Sequence, residues 1–365
     1  MQNVLELLKD LIAIPSVSPS IRPVEGVSGE ALVCERVRDA LAAAGIASEM
    51  VDVADGRPNL YARLDFGRPQ TVILSAHTDT VPADDFDGEA FDPREADGAI
   101  HGRGSCDTKA SLALFAGAML RAASAGGCDF NLTLAAVCDE EAGFLGSKAA
   151  ARHLKAGFAI AGEPTGLHVL NRHKGVMRFV VSASGVSSHS STPDLGRNAI
   201  YPLARAVLAI GARADDWRAR QDPVLGPRTV AVTTISGGQA PNIIPDSARA
   251  QVDVRSLPGD TQEGLMTELA KCCGPDVTIS APFVAGPPLH TPEDNPLLQR
   301  FLAASGRSLT CAAYATDAAE YAAAGIPAVV FGPGDAALAH TSREQISISE
   351  IEAAERILGA FLGLR

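Results

Sequence analysis

The stretch VCDEEAG sets three acids in a row, Asp139, Glu140 and Glu141, directly after the apolar run LTLAAV. Adjacent side chains of a strand face opposite ways, so neighbouring glutamates share a face only if the strand has ended. Such a pair can divide its work, one carboxylate holding a cation and the other moving protons; a solvated turn is the plain alternative. Groups of the same chemical kind follow other apolar runs. His77 closes TVILSAH, and Asp79 follows it in HTD. A ligating histidine usually donates its second ring N–H to a partner that fixes its tautomer, and Asp79 suits that role. By itself HTD reads as a polar turn before it reads as a metal site. Asp107, in GRGSCDTK, reads as a metal-facing carboxylate or as the N-cap of the helix that follows it. Glu163, in GEPT, ends another apolar run and is kept extended by Pro164. His340 closes FGPGDAALAH, where it is a ligand or a histidine satisfied at the core edge.

Taken together, these residues make one mixed set of imidazoles and carboxylates. Such a set suits Zn²⁺, Co²⁺ or Mn²⁺, whereas all-oxygen sites suit Mg²⁺ and Ca²⁺. It also exceeds what one open catalytic zinc needs. Two metals about 3.5–4 Å apart, sharing a carboxylate and a water, would use every ligand. Rival chemistries lack their signatures. GRGSCDTK does not have the spacing of a phosphate loop, and no GxSxG elbow is present for a nucleophilic serine. Cys106 and Cys138 flank the motifs and read as small buried residues rather than nucleophiles.

The elements that must hold these groups alternate. TVILSAH, NLTLAAVCD and GFAIAGEPT read as strands, and SLALFAGAMLRAA, Ser111 to Ala123, reads as a helix of small residues. This predicts an α/β fold, a mostly parallel mixed sheet flanked by helices. Ligands of such sheets bind beyond the carboxyl ends of the strands, where the acids and histidines fall. After about Arg172 the texture changes. MRFVVSASG, TVAVTTISGG and ARAQVDVRSLPG alternate as antiparallel strands, and NAIYPLARAVLAIGARADDW is an amphipathic helix. The α/β pattern resumes with helix NPLLQRFLAASG, strand PAVVFGP and a last helix from Ser349 to Leu364. The chain therefore divides into a discontinuous catalytic domain, residues 1–173 and 286–365, and an inserted two-layer α+β domain, residues 174–285.

Composition narrows the classes. The chain has 365 residues, 46% of them hydrophobic, which is enough for a substantial core and argues against disorder. Its net charge is −12, and no run of Lys and Arg offers a nucleic-acid surface. Seven scattered cysteines without a CxxC pair suit reduced thiols, so the expected compartment is the cytoplasm. The N-terminus has helical rather than signal-peptide patterning, and no apolar run reaches the roughly 20 residues a bilayer demands. The sequon Asn131-Leu132-Thr133 accordingly carries no expected role.

The ordered set HTDTVP, GRGSCDTK, DEEAG, GEPT and GPGDAALAH resembles the acetylornithine deacetylase/succinyl-diaminopimelate desuccinylase family of dinuclear zinc hydrolases. The resemblance runs along nearly the whole chain. It implies His77 and Glu163 on one metal, Glu141 and His340 on the other, and Asp107 bridging both. It makes Glu140 the general acid/base, Asp79 the partner of His77, and the Asp107-Thr108 peptide bond cis. Zinc is the implied metal, with cobalt and manganese as alternatives. The inserted domain then corresponds to the family's lid and dimerisation domain. In HSSTPDLGRNAI, His189 matches the oxyanion-stabilising histidine, often supplied across a dimer interface. Asn242 in GGQAPNIIPD and Arg255 in DVRSLPG match residues that hold the substrate's carboxylate. AYATDAAEYAAAG fills the stretch of the substrate pocket, with Thr316, Asp317 and Glu320 as candidates. The implied reaction is hydrolysis of an N-acyl amino acid by a homodimer. HSSTPDLGRNAI and GPGDAALAH are more similar to the acetylornithine deacetylases, hence to arginine biosynthesis, than to the desuccinylases. Asp139 is expected to serve the turn or support the ligands.

Overall fold

The apolar runs of the first half lie side by side in one large sheet of the computed structural model, which describes residues 2–364. Strands Asn131–Val137, Thr71–His77, Phe158–Ala161 and Ala328–Val330 are adjacent in that order and mutually parallel. All are buried on both faces, which is why their sequences are continuous apolar runs. The register runs from Thr71 opposite Asn131 to His77 opposite Val137. His77 and the start of the acidic turn therefore emerge together at one edge. Ala161 pairs with Ser75 and with Val330, which brings Glu163 out at the same edge. The sheet's flanks are antiparallel. Arg57–Leu64 joins Asn131–Val137 on one side, with Ser48–Ala54 beyond it, and Val169–His173 joins Ala328–Val330 on the other.

Helix Lys109–Ser124 is buried along most of its length. It packs against helices Gln2–Ile12, Gly29–Ala42 and Ile348–Leu362. Small residues are needed for that crowding: a Cβ on Gly117 would lie 2.5 Å from Val4 Cγ2. The N-cap of this helix is Thr108, with no side-chain capping bond. The cap alternative for Asp107 is thereby corrected, because its carboxylate is engaged by His77 instead.

By compactness the chain resolves into two units. One comprises Met1–Arg172, Leu289–Thr310 and Thr316–Arg365, and the other His173–Pro288 with Cys311–Ala315. The second unit has an antiparallel sheet in which Ser247–Ser256 pairs with Thr229–Gly237 on one side and Gly175–Ser184 on the other. Burial alternates along Ser247–Ser256, as expected of a sheet covered on one face. Helices Ile200–Arg218 and Gln262–Cys273 supply that cover, and Phe179, Leu203, Trp217, Val252 and Leu269 meet in the core. All seven cysteines are free thiols. Among the described residues, no helix is long and apolar enough to cross a membrane.

Candidate dinuclear metal centre

Asp79 organises the edge of the sheet. It is fully buried, and its two carboxylate oxygens accept the backbone N–H groups of Glu140, at 3.1 Å, and Glu141, at 3.2 Å. His77 Nδ1 lies 2.9 Å from the Asp79 carbonyl oxygen and 3.5 Å from its carboxylate. With Nδ1 donating there, Nε2 is the nitrogen that faces Asp107 and the one that would give up its proton to a bound cation. One aspartate thus fixes a histidine and the turn that carries two glutamates.

That turn is held from behind as well. Asp139 adopts a left-handed φ of 67°, which ends the strand and swings the following glutamates over the sheet edge. Its N–H donates to Glu30 Oε1 at 3.0 Å, and its carboxylate accepts from Arg57 Nη2 at 2.7 Å. Arg57 also forks onto Glu30 at 2.6 and 2.7 Å. All three side chains are buried, and the planar guanidinium matches both carboxylates at once. Asp139 is accordingly a turn residue tied into a buried ion cluster. Its partners Glu30 and Arg57 lie in no recognisable motif; the only trace of them in the sequence is a charge at the start of an apolar element.

Asp107 sits between the two histidines. Its Oδ1 is 3.1 Å from His77 Nε2, and its Oδ2 is 3.1 Å from His340 Nε2. His340 Nε2 also lies 3.1 Å from Glu141 Oε2. The Asp107-Thr108 peptide bond is cis. Two overlapping groups bring their ligand atoms within 4.8 Å of one another: His77, Asp107 and Glu141, and His77, Glu140 and Glu163. Asp107, with one oxygen for each histidine, has the form a bridging ligand needs. Glu140 shares the second group, so both glutamates of the turn reach the centre.

With the protein's own groups alone, charge at this edge is poorly balanced. Burial, then the Glu163 carboxylate, pushes the Glu140 carboxyl well above its usual range, and burial with Asp107 does the same to Glu163. Glu141 is pushed up to about 7, mainly by burial and by Asp107. Burial opposes ionisation of Asp107 too, but hydrogen bonds from His340 and His77 outweigh it and hold that carboxyl below its usual range. Hydrogen bonds to Asp107 and Glu141 raise His340 to about 10. Crowded carboxylates and two imidazoles facing one another are the donor set of a hard-to-borderline divalent cation, and the residues fit a pair of them.

Of the other expected site residues, Asp317 is near enough for its carboxylate to act on Glu140 and Glu163. Thr316 is buried, and its hydroxyl accepts the Ala318 N–H at 3.3 Å, at the start of helix Ala318–Ala323. Asp317 is buried in the same unit, and burial raises its carboxyl to about 6. Glu320 has a carboxylate oxygen 4.0 Å from Lys148 Nζ. His189, Asn242 and Arg255 belong to the second unit. There His189 pairs with Ile243 across a short ladder, and Ser190 N–H donates to the Asn242 carbonyl at 2.9 Å, so His189 and Asn242 are near neighbours. The His189 ring is exposed, with Nδ1 2.7 Å from Ser191 Oγ. Arg255 donates to Asp253 at 2.8 Å.

Comparison with known proteins adds an independent line. The profile of peptidase family M20/M25/M40 matches residues 73–363. A putative succinyl-diaminopimelate desuccinylase DapE of Mycobacterium tuberculosis is 32% identical over 98% of this chain and 98% of its own length. An acetylornithine deacetylase of Proteus mirabilis is 29% identical over 98% of this chain and 95% of its own. In fold, the M20 family metallo-carboxypeptidase Sso-CP2 of Sulfolobus solfataricus superposes with a TM-score of 0.82 at 18% identity, covering 100% of this chain and 99% of that one. A dinuclear metal-binding M20 peptidase of Bacillus subtilis gives 0.70 at 15% identity, covering 100% and 97%.

The electrostatics of the centre give a pH dependence. A carboxyl raised in the folded state favours folding below its unfolded pKa, and that contribution is lost as pH rises through the folded value. For Glu141 the window runs from 4.5 to about 7, and Glu140 and Glu163 act with the same sign. Chelator-treated protein should therefore lose thermal stability as pH rises through that window, and Zn²⁺ added at pH 7.5 should restore it. Melting temperatures measured at a series of pH values, with and without zinc, check this; a flat profile contradicts it.

Proposed function

This chain belongs to peptidase family M20/M25/M40 and is a metal-dependent hydrolase of amide bonds, and from that premise we propose that it removes the acyl group of an N-acyl amino acid, with N2-acetyl-L-ornithine as substrate. The observation that carries the reading is the set of His77, Asp107, Glu140, Glu141, Glu163 and His340 converging at one sheet edge. We assign His77 and Glu163 to one metal, Glu141 and His340 to the other, and Asp107 to both, with zinc as the metal and cobalt or manganese as alternatives.

Bound at these residues, two divalent ions would supply a water acidified towards neutral pH and polarisation of the amide carbonyl. The protein's own groups do the rest. Glu140 takes a proton from the attacking water and hands it to the leaving nitrogen. Its burial suits that exchange, because a carboxyl with a raised pKa can hold a proton between the two steps. Asp79 keeps His77 in the tautomer that presents Nε2 and keeps Glu140 in place through its backbone N–H. To His189 we assign stabilisation of the oxyanion, and to Arg255 and Asn242 the substrate's carboxylate, for which a guanidinium fork is the natural partner. Support within the second unit is the adjacency of His189 and Asn242.

The division of labour between the two glutamates is directly measurable. Glu141→Ala should lose about one metal equivalent, whereas Glu140→Ala should keep both metals and lose most of its turnover, on the order of 10²-fold or more. Elemental analysis beside an amide-hydrolysis assay decides it; equal metal loss in both variants would undo the assignment.

Ornithine carries a cationic side chain, and the acids Asp317 and Glu320 favour it. Neither Asp317 Oδ1 nor Glu320 Oε1 accepts a hydrogen bond. Desuccinylation is the second reading, favoured by the relative of that name at 32% identity. It would require a cation for the distal carboxylate, and Lys148 near the acids already donates to the Gly143 carbonyl at 2.8 Å. A panel of acetylornithine, acetylcitrulline, acetyl-leucine and succinyl-diaminopimelate, with zinc or cobalt added, should show highest kcat/KM for acetylornithine. Asp317→Asn and Glu320→Gln should lower the preference for acetylornithine over acetyl-leucine, and the charge hypothesis fails if neither does.

We also propose that the protein is a homodimer joined through its second unit. Thr229–Gly237 is an edge strand with Ile235 59% exposed, and helix Ile200–Arg218 leaves Tyr201 65% and Leu208 74% exposed. Exposed edges and apolar side chains of this kind mark pairing surfaces. Sedimentation should give the dimer mass at micromolar concentration, and Leu208→Glu should shift it to monomer; a wild-type monomer would refute the proposal.

A further inference from the structure

The loop that carries Asp107 is gripped by a side chain from another part of the chain. Glu344 is 1% exposed, and its carboxylate accepts four hydrogen bonds. Oε1 accepts the N–H groups of Cys106, at 2.9 Å, and Asp107, at 3.0 Å. Oε2 accepts the N–H of Gly104, at 3.0 Å, and Nη1 of the buried Arg103, at 2.8 Å. Asp79 holds Glu140 and Glu141 in a related way, accepting two successive backbone N–H groups, though one on each oxygen rather than both on one.

Glu344 also lies four residues beyond His340. Its own carbonyl accepts the Gly102 N–H at 3.2 Å, and Arg103 Nη1 reaches the Thr341 carbonyl at 3.2 Å. Gln345 and His101 then pair in a short antiparallel ladder. The loop of Asp107 and the loop of His340 are thus stitched together around one carboxylate. Arg103 balances its charge, with the Phe86 ring 5.6 Å from the guanidinium carbon.

We propose that Glu344 is a positioning residue for the metal centre, fixing Asp107 relative to His340 so that the second cation finds both ligands in place. The inference rests on the metal assignment made above. Groups that orient ligands typically contribute about 10–100-fold to metal affinity. A glutamine is the sharpest probe. Its amide has one acceptor and one donor end. Whichever way it turns, its NH₂ meets two donors: the N–H groups of Cys106 and Asp107, or the N–H of Gly104 and the Arg103 guanidinium.

The test is a Zn²⁺ titration of chelator-stripped protein in competition with a chromophoric chelator, paired with thermal unfolding of the stripped protein. Glu344→Gln should bind the weaker of two zinc equivalents about 10–100-fold less tightly than wild type. A role in folding alone would lower the melting temperature of the stripped protein and leave zinc affinity unchanged, and that result overturns the proposal. If Glu344→Gln does not fold, Arg103→Lys, which withdraws the Nη1 bonds to Glu344 and the Thr341 carbonyl but keeps the charge, must show the same loss of zinc affinity; wild-type affinity there also overturns it. The wild-type titration separates the two readings. A wild type that takes up no zinc refutes the metal centre itself, whereas wild-type binding with an unaffected Glu344→Gln refutes only the role of Glu344.

Discussion

Buried carboxylates repel one another, and that repulsion governs this structure. Asp107, Glu140, Glu141 and Glu163 meet at one edge of a sheet, where His77 and His340 are the imidazoles that face them. In water such groups would separate; in a folded protein a rigid framework must hold them together at a cost, which a bound cation would offset. The parallel register of the central strands supplies the rigidity. It sets Val137 opposite His77 and Ala161 opposite Ser75, so His77, the acidic turn and Glu163 all emerge at the same edge. The cost of crowding is thereby converted into affinity for divalent metal, since a cation relieves what the fold imposes.

Rigidity at the strand ends comes from a repeated device. Loops at a sheet edge leave backbone N–H groups without partners, and here carboxylates from distant segments accept them. Asp79 serves Glu140 and Glu141, Glu344 serves Cys106 and Asp107, and Glu30 serves Asp139. A carboxylate that accepts two successive N–H groups fixes the orientation of a peptide more strictly than one bond would. The supporting acids are more deeply buried than the acidic turn and Asp107 that they orient, and Arg57 and Arg103 are buried with two of them as counterions.

Much of the fold was legible because apolar periodicity reports burial directly. Thr71–His77 begins and ends at the residues its apolar run indicates, and helix Ile200–Arg218 follows its amphipathic pattern. Arg57–Leu64 is different. Arg57 at its head and Arg63 near its end make it read as polar, yet it is buried for most of its length between Ser48–Ala54 and Asn131–Val137. Helix Gly29–Ala42 hides a charge for a similar reason: Glu30 faces inward only because Arg57 meets it there. Local sequence carries no sign of such a partner. Lys109 shows the same blindness, fully buried with its ammonium on the Ile14 carbonyl at 2.8 Å.

By itself the sequence determined the chemical inventory. Residue type and position at the end of an apolar run are local properties, so His77, Asp107, Glu140, Glu141, Glu163 and His340 could be singled out, and the alternation of elements implied that they share a sheet edge. Only the tertiary structure decided what each carboxylate faces. Asp107 turned out to meet two histidines rather than cap a helix, Asp139 to meet Arg57, and Glu344 to hold the loop of Asp107. Those outcomes depend on side chains far apart in the chain, and a hydrogen bond of about 3 Å leaves no periodic trace in the sequence that makes it.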